Sequence, residues 1–389
     1  MRDKRGVTVA GNPHVSVLVP VHNAERYLTQ CLNSLVHQTL PSLEIICLDD
    51  GSSDSSAEIL AEFAMREPRI LILTHENHGY GYTLNRGLDA ARGDYIGIVE
   101  SDDWVEPSMF EDLYRAALIM DADMAKCNFY LEWTGSKRRE LYRCINEKDD
   151  GLVIRPRDDP QGRLFRKKPA VWSSIYRRSF LDGNRIRFRE TPGASFQDTS
   201  FNFKTLWLAE RVACVTTPYV HYRQDNEASS INSKDRAYSV CGECEEIVRF
   251  LADRPGSDLF AARVLTPMIY DTFIWNYERL DANLKLPFLE EASRWFRRLL
   301  VEGRVDWARF PESKRVNFHI IAYAPTVYHA WKQEPECQPH RSTFISSIAR
   351  RVQALLPPSR RRFDNKIRAL TRQMEALQAT MDELVRQIH

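Results

Sequence analysis

Two short acidic runs carry the clearest chemistry in the sequence. Glu100-Ser101-Asp102-Asp103 places three carboxylates within four residues, and Asp49-Asp50 leads into Gly51-Ser52-Ser53-Asp54. Carboxylates this close repel one another unless a cation or a cationic ligand neutralises them. Ligands that are all oxygen favour a hard divalent ion, Mg²⁺ or Mn²⁺, which keeps coordination positions for phosphate oxygens. Asp49 and Asp50 can accept hydrogen bonds from a nucleobase N–H and from ribose hydroxyls, and Gly51 lets backbone come close to a flat ring. Either run alone also fits a solvated turn. That reading is much less comfortable when both fall at the carboxyl ends of adjacent expected strands.

The elements that position these runs follow from periodicity. Residues 15–21 (VSVLVPV) are a short apolar, β-branched run, the signature of a strand buried on both faces. Asn23 is the expected N-cap of a helix with Leu28, Cys31, Leu32 and Leu35 on one face, closed by Pro41. A second strand (EIICL, 44–48) runs into the first acidic run. A helix around Ile59, Leu60 and Phe63, a third strand at 70–73 and a helix over 82–92 follow. A fourth strand (YIGIV, 95–99) ends in the second acidic run, and Pro107 opens a helix carrying Phe110, Leu113, Tyr114 and Ala117. Strands alternating with helices predict right-handed βαβ units and a mostly parallel sheet, whose ligands bind beyond the carboxyl ends of the strands. Residues 133–230 are less regular, with a polar basic stretch (GSKRRELYRC), a basic run at 163–168 and an amphipathic helix expected near 172–182. From 231 to about 335 the period is helical and rich in aromatics, which reads as a packed core.

Composition narrows the function. Lys+Arg (54) balances Asp+Glu (53) in 389 residues, so the chain lacks the basic field of a nucleic-acid coat, and no nucleic-acid partner is expected. No run approaches the ~18–20 apolar residues of a membrane-spanning helix. The start, MRDKRGVTVAGNP, lacks the apolar core of a signal peptide, so a cytoplasmic protein with reduced thiols is expected. Cys241-Gly242-Glu243-Cys244 is a lone CxxC, half of a metal site at most. There is no P-loop, no HExxH and no GxSxG; Gly79-Tyr80-Gly81 lacks the third glycine of a dinucleotide loop, and the His75/His78 pair has no third ligand nearby.

The ordered segments VSVLVPVHNAERYLTQCLNSLVHQ, LEIICLDDGSSDSS and ENHGYGYTLNRGLDAARGDYIGIVESDDW resemble the nucleotide-sugar half of the family 2 glycosyltransferases of GT-A fold. The likeness is dense over 14–130 and thins to KPAVWSSIYRRSFL, FQDTSFNF and HYRQDNEASSIN. It implies an α/β architecture of the nucleotide-diphospho-sugar transferase type, a mostly parallel sheet flanked by helices. It implies that Pro20, Val21, Asn23 and Asp49 line a nucleobase and ribose pocket, with Asp50 and Gly51 extending its wall. Asn85 and Arg86 fall in the stretch that approaches the sugar or diphosphate. Glu100-Ser101-Asp102 matches the family's D-x-D, so Asp102, with Asp103, holds Mn²⁺ or Mg²⁺, while Glu100, one methylene longer than the usual Asp, meets ribose or metal-bound water. The family's Glu-Asp pair before an aromatic matches Gln197-Asp198, which makes Asp198 the base; an exposed helix N-cap is its bland alternative. His221 and Arg223 match the closing segment, with Ser229 or Ser230 as its serine; Arg223 and Ser229 approach the diphosphate, and His221 either completes the metal site or is a satisfied strand-end histidine.

The reading is an inverting transferase that moves a sugar from a nucleotide-diphosphate donor, a UDP-sugar, to a glycan or lipid-linked acceptor in cell-surface polysaccharide synthesis. A nucleotidyltransferase would need a Gly-rich basic loop that VPVHNAER lacks. A degenerate nucleotide-sugar-binding scaffold draws its support from Gln197 and Glu100. The expected domains are a tail (1–13), a transferase domain (14–230, divided near 130 into nucleotide-sugar and acceptor/base halves), a helical domain (231–340) and an end segment (341–389). In the last, Ile345, Ile348, Val352, Leu355 and Leu356 form a basic amphipathic stretch suited to peripheral contact with the inner face of the cell membrane. Phe363, Ile367, Leu370, Met374, Leu377, Met381, Leu384 and Ile388 form a heptad seam suited to a homo-oligomeric coiled coil.

Overall fold

The computed structural model describes residues 12–226, 237–254 and 256–333. The expectations for Ser229 and Ser230, for the 341–389 segment and for most of the N-terminal tail lie outside these residues. The chain divides into two compact units, Met1–Arg254 and Pro255–His389.

Among the described residues the first unit is built on a ten-stranded sheet. Its elements are β1 (Val15–Val21), α1 (Glu25–Val36), β2 (Leu43–Asp50), α2 (Ser56–Arg66), β3 (Ile70–His75), α3 (Tyr80–Ala90), β4 (Tyr95–Ile98), β5 (Trp104–Val105), α4 (Met109–Ile119), β6 (Met124–Trp133), β7 (Arg138–Tyr142), β8 (Val153–Ile154), β9 (Ser174–Arg177), α5 (Arg178–Gly183), α6 (Gln197–Leu208), β10 (Val212–Arg223) and α7 (Ser239–Leu251). The strand order is β3-β2-β1-β4-β9-β6-β10-β5, with β7 on β6 and β8 on β10. β1, β2, β3 and β4 are parallel, as are β6 and β10; β9 runs antiparallel to both β4 and β6. A strand reversed twice regains its direction, so β1, β2, β4, β6 and β10 all end at the same side of the sheet.

Local sequence explains these elements. Every residue of β1 and of β2 is buried, as a strand covered on both faces requires. α1 buries Leu28, Cys31, Leu32 and Leu35, the stripe read from the sequence. Asn23 is not its cap: Ala24 holds that place, and Asn23 sits in the left-handed region at φ 52°. The helix expected near 172–182 is instead a 3₁₀ turn (Val171–Ser173), β9 and the short α5. Tyr176 and Ile175 are wholly buried between β4 and β6, and that slot overrides the helical spacing of Trp172, Ile175, Tyr176 and Phe180. α7, on the helical side of the expected boundary at 230/231, falls within the first unit.

The described residues of the second unit are helical: α8 (Ser257–Phe260), α9 (Thr266–Arg279), α10 (Ala282–Val301), α11 (Glu312–Tyr323) and α12 (Pro325–Gln333). Its aromatics pack on one another; Phe296 and Phe318 stack with centroids 4.2 Å apart, and Phe273 and Tyr277 are buried. Among the described residues no helix is long and apolar enough to cross a membrane.

Candidate active site

Register sets how the two acidic runs face each other. Val21 pairs with Asp49, and Leu18 pairs with Ile98. Glu100, two residues past Ile98, therefore comes level with Pro20. The buried Pro20 and Val21 form the floor between Asp49 on one side and Glu100 on the other, with strands ~4.8 Å apart. The two runs end strands that flank β1, not strands that neighbour each other.

The loop after β2 is internally braced. Asp49 is buried and its Oδ1 accepts from the Ser52 N–H at 3.0 Å. Asp50 accepts from the His78 N–H (2.8 Å) and the Gly79 N–H (3.0 Å). Both Asp50 oxygens thus hold the 76–79 loop, and Asp50 shapes the wall from behind where a ligand contact was expected. Gly51 has φ +66°, and a Cβ there would lie 2.9 Å from the Asn77 nitrogen; the close approach it permits is that of Asn77, not of a ring. Asn23 accepts from the Ser53 N–H at 2.8 Å and so ties the β1 and β2 loops together.

The second run is a tight turn, closed by the Asp103 N–H donating to the Glu100 carbonyl at 3.1 Å. Ser101 lies half-buried within it. Tyr80 donates its hydroxyl to Glu100 Oε1 at 2.6 Å, and Asn226 donates to Asp102 Oδ2 at 2.8 Å. Burial, with the Asp102 and Asp198 charges adding to it, pushes the Glu100 carboxyl up to about 8. Burial and the Asp102 charge hold Asp103 well above the usual carboxylate range. Asp103 Oδ1 accepts from the Arg223 N–H at 2.8 Å, while its enclosed Oδ2 has no hydrogen-bond partner.

Asp198 lies in the first turn of α6, and its charge reaches Glu100. Burial raises its carboxyl to about 6, and the Lys168 ammonium is the chief opposing influence. Burial in turn lowers the Lys168 ammonium, whose Nζ lies 4.7 Å from the Tyr222 ring centroid. Tyr222 is held up by burial and by the charges of Asp103, Asp102, Asp198 and Glu100 together, so one ring senses all four acids. A carboxylate at about 6 is ionised at neutral pH, yet basic enough to accept a proton from a hydroxyl.

Gln197, where the resemblance leads to the expectation of an acid, is the hub of the loop before α6. Its Oε1 accepts from the Ser195 N–H, and its Nε2 donates to Thr191 Oγ1 (2.8 Å) and to the Gly193 carbonyl (2.9 Å). An ionised Glu cannot donate, so the amide is what this loop requires. The loop docks on α3, where the Tyr80 N–H donates to the Gly193 carbonyl at 3.1 Å. Gly79 and Gly81 leave room for this docking: a Cβ on either would collide with the main chain at 189–193.

Three expected ligands have other roles. His221 has Glu132 2.8 Å from Nδ1 and Glu106 2.9 Å from Nε2, and it stacks on Trp104. Both ring nitrogens are committed to carboxylates, so His221 is not a metal ligand. Arg223 is buried; it donates to the Asp102 carbonyl, Thr134 and Gln30 and lies over Tyr27 and Trp104, bracing the acidic turn from behind instead of reaching a diphosphate. Asn85 spends its amide on the Phe188 main chain and on Glu190, and Arg86 beside it is exposed. Tyr80, Lys168 and Tyr222 are the members that motif reading missed. Lys168 lies inside the basic run at 163–168, but nothing in its spacing says that it folds toward the acids.

Among the described residues no three His, Cys, Asp or Glu side chains converge as a metal cage. Asp102, one oxygen of which accepts from Asn226, and the unpartnered oxygen of Asp103 are nevertheless oxygen donors. They suit a hard cation that draws its other ligands from a bound phosphate.

Comparison with known proteins agrees with this architecture. The family model described as "Glycosyl transferase family 2" matches residues 16–207. The putative glycosyltransferase EpsH of Bacillus subtilis (strain 168) is 34% identical over 218 residues, covering 54% of this chain and 61% of EpsH. The uncharacterized glycosyltransferase YibD of Escherichia coli (strain K12) is 31% identical over 255 residues, covering 62% of this chain and 72% of YibD. The chain thus spans about three-fifths of the length of EpsH. The crystal structure of S. aureus TarS 1-349 in complex with UDP-GlcNAc superposes with a TM-score of 0.63 at 19% identity, over 82% of this chain and 91% of TarS 1-349; it shares the fold.

Proposed function

The chain belongs to the family 2 glycosyltransferases, and from that premise we propose that it is an inverting enzyme using a UDP-sugar, with Asp198 as its base. The observation that carries this reading is the shared electrostatic space of Asp198 and the Glu100–Asp103 turn, at the end of the sheet where the parallel strands finish. The likeness of fold to TarS, crystallised with UDP-GlcNAc, supports uridine as the base.

In this reading Asp49, Pro20 and Val21 seat the nucleoside, and Glu100, held by Tyr80, faces the ribose. The acceptor hydroxyl gives its proton to Asp198 while its oxygen bonds to C1 of the sugar. The bond from C1 to the diphosphate breaks, and the nucleoside diphosphate leaves with the electron pair, so configuration inverts in a single displacement. A divalent ion held by Asp102 and Asp103 would neutralise the charge on the diphosphate. The acceptor is a glycan or a lipid-linked glycan of the cell surface. The scaffold reading loses its support, because Gln197 and Glu100 have roles that leave Asp198 in place.

Release of UDP from a panel of UDP-sugars with Mn²⁺ tests the proposal. The expected result is turnover of at least one donor, abolished in Asp198→Asn. Binding of UDP without turnover of any donor contradicts it. Self-association through 363–388 belongs to the same proposal. Sedimentation should show a concentration-dependent mass that is lost on removing 360–389; an unchanged mass contradicts it.

A further inference from the structure

The middle of the CGEC sequence, not its cysteines, is placed to act. Cys241 and Cys244 are thiols, not a disulfide. Gly242 and Glu243 form a slot on α7 for one side chain, Arg189. Any Cβ on Gly242 would collide with the Arg189 guanidinium, and the Glu243 carboxylate, 1% exposed, lies 3.6 Å from it. The other end of Arg189 is gripped as well, since its carbonyl sits against Gly81 of α3. On either side of Arg189 the chain is pinned. Phe188 stacks on Phe201 of α6 at 3.9 Å and 2°, its main chain bonds to Asn85, and the Gly193 carbonyl is shared by Tyr80 and Gln197.

Residues 188–193 are therefore a strap between α3, which carries Tyr80 and its bond to Glu100, and α6, which carries Asp198. We propose that Arg189 and Glu243 are a positioning pair that fixes this strap, and so sets Asp198 at its working distance from the donor. The inference rests on the glycosyltransferase reading above. Glu243 lies outside the span matched by the family model, 16–207. Burial raises the Glu243 carboxyl to about 7, with Ser200 and Arg189 opposing and the Asp198 charge adding, which places Glu243 within the electrostatic reach of the base.

The test measures UDP release by the full chain for Arg189→Ala, Arg189→Lys, Glu243→Ala, Glu243→Gln and the Arg189→Ala/Glu243→Ala double variant, with Asp198→Asn alongside. Both alanine variants should lose at least about tenfold in kcat with donor KM within about twofold, since small displacements of a reacting group are costly. The double variant should lose no more than the worse single one, because the two act as one unit. Guanidinium added to the buffer should restore part of the turnover of Arg189→Ala, whose slot is open to solvent (38% exposed), and none to Glu243→Ala; a purely structural defect would not respond. Losses that multiply, losses confined to donor KM, or kcat within about twofold of wild type in Arg189→Ala and Glu243→Ala overturn the inference. The lysine and glutamine variants decide the matter where an alanine variant fails to fold. If Asp198→Asn is inactive while the Arg189 and Glu243 variants are normal, only the positioning pair fails. If Asp198→Asn turns over normally, it is the assignment of the base that fails.

Discussion

At the scale of single residues, Asp198 is poised by opposing influences. Burial lifts its carboxyl to about 6, and the Lys168 ammonium pulls it down. Lys168→Met removes the downward pull, so the carboxyl rises further. Activity that needs the ionised form is then lost at a higher pH. The acid limb of the kcat/KM profile should move up by about one unit; an unmoved limb separates Lys168 from the base. Gln197 makes a second prediction. In Gln197→Glu a carboxylate oxygen replaces the amide that donates to Thr191 and Gly193, and it faces the Gly193 carbonyl. Urea unfolding at pH 8 should show a loss of about 1–3 kcal/mol, and stability equal to wild type contradicts the assigned role. The acidic runs with Asp102 were visible because their residue types are unusual at strand ends, and Asp198 was visible through the resemblance of Gln197-Asp198 to the family's acidic pair. The sequence did not show Lys168 or Tyr80, whose places depend on contacts with distant segments: Tyr80 with Glu100 and Gly193, Lys168 with Tyr222. Nor did it show that His221 and Arg223 turn inward, because a ligand and a brace share the same residue types.

At the scale of elements, the GYG at the start of α3 explains itself only in the folded chain. Its glycines lack the third member of a dinucleotide loop, and they are bare because the 189–193 segment lies on them. Gly81→Ala should therefore destabilise by about 1–3 kcal/mol, from overpacking against the Arg189 carbonyl. Gly183→Ala is the control: nothing lies within 4 Å of a Cβ there, so its unfolding midpoint should stay near wild type or rise slightly. Equal effects at the two sites contradict the docking. The βαβ alternation of 15–119 was readable because each strand is a continuous apolar run and each helix keeps one stripe. Residues 172–183 were not, because Trp172, Ile175, Tyr176 and Phe180 have helical spacing while the slot between β4 and β6 takes a strand.

At the scale of the whole molecule, the site lowers the stability of the unit that holds it. Asp198 binds its proton more tightly in the fold than in the unfolded chain, so ionising it costs stability. Asp198→Asn should raise the melting temperature at pH 8. That gain should persist down to about pH 6 and fade as pH falls through about 4, below which both chain states hold the proton. A gain that grows as pH falls contradicts the burial of this carboxylate. The account stands or falls on whether the acidic turn and Asp198 serve one bound donor in different ways, and calorimetric UDP affinity with Mn²⁺, set beside turnover, measures that directly. Asp102→Asn should lose both UDP affinity and turnover. Asp198→Asn should keep UDP affinity within about twofold and lose turnover, because it removes a contact made only as the bond forms. If Asp102→Asn binds UDP as wild type does, or if Asp198→Asn turns over normally, the two acids do not share a substrate.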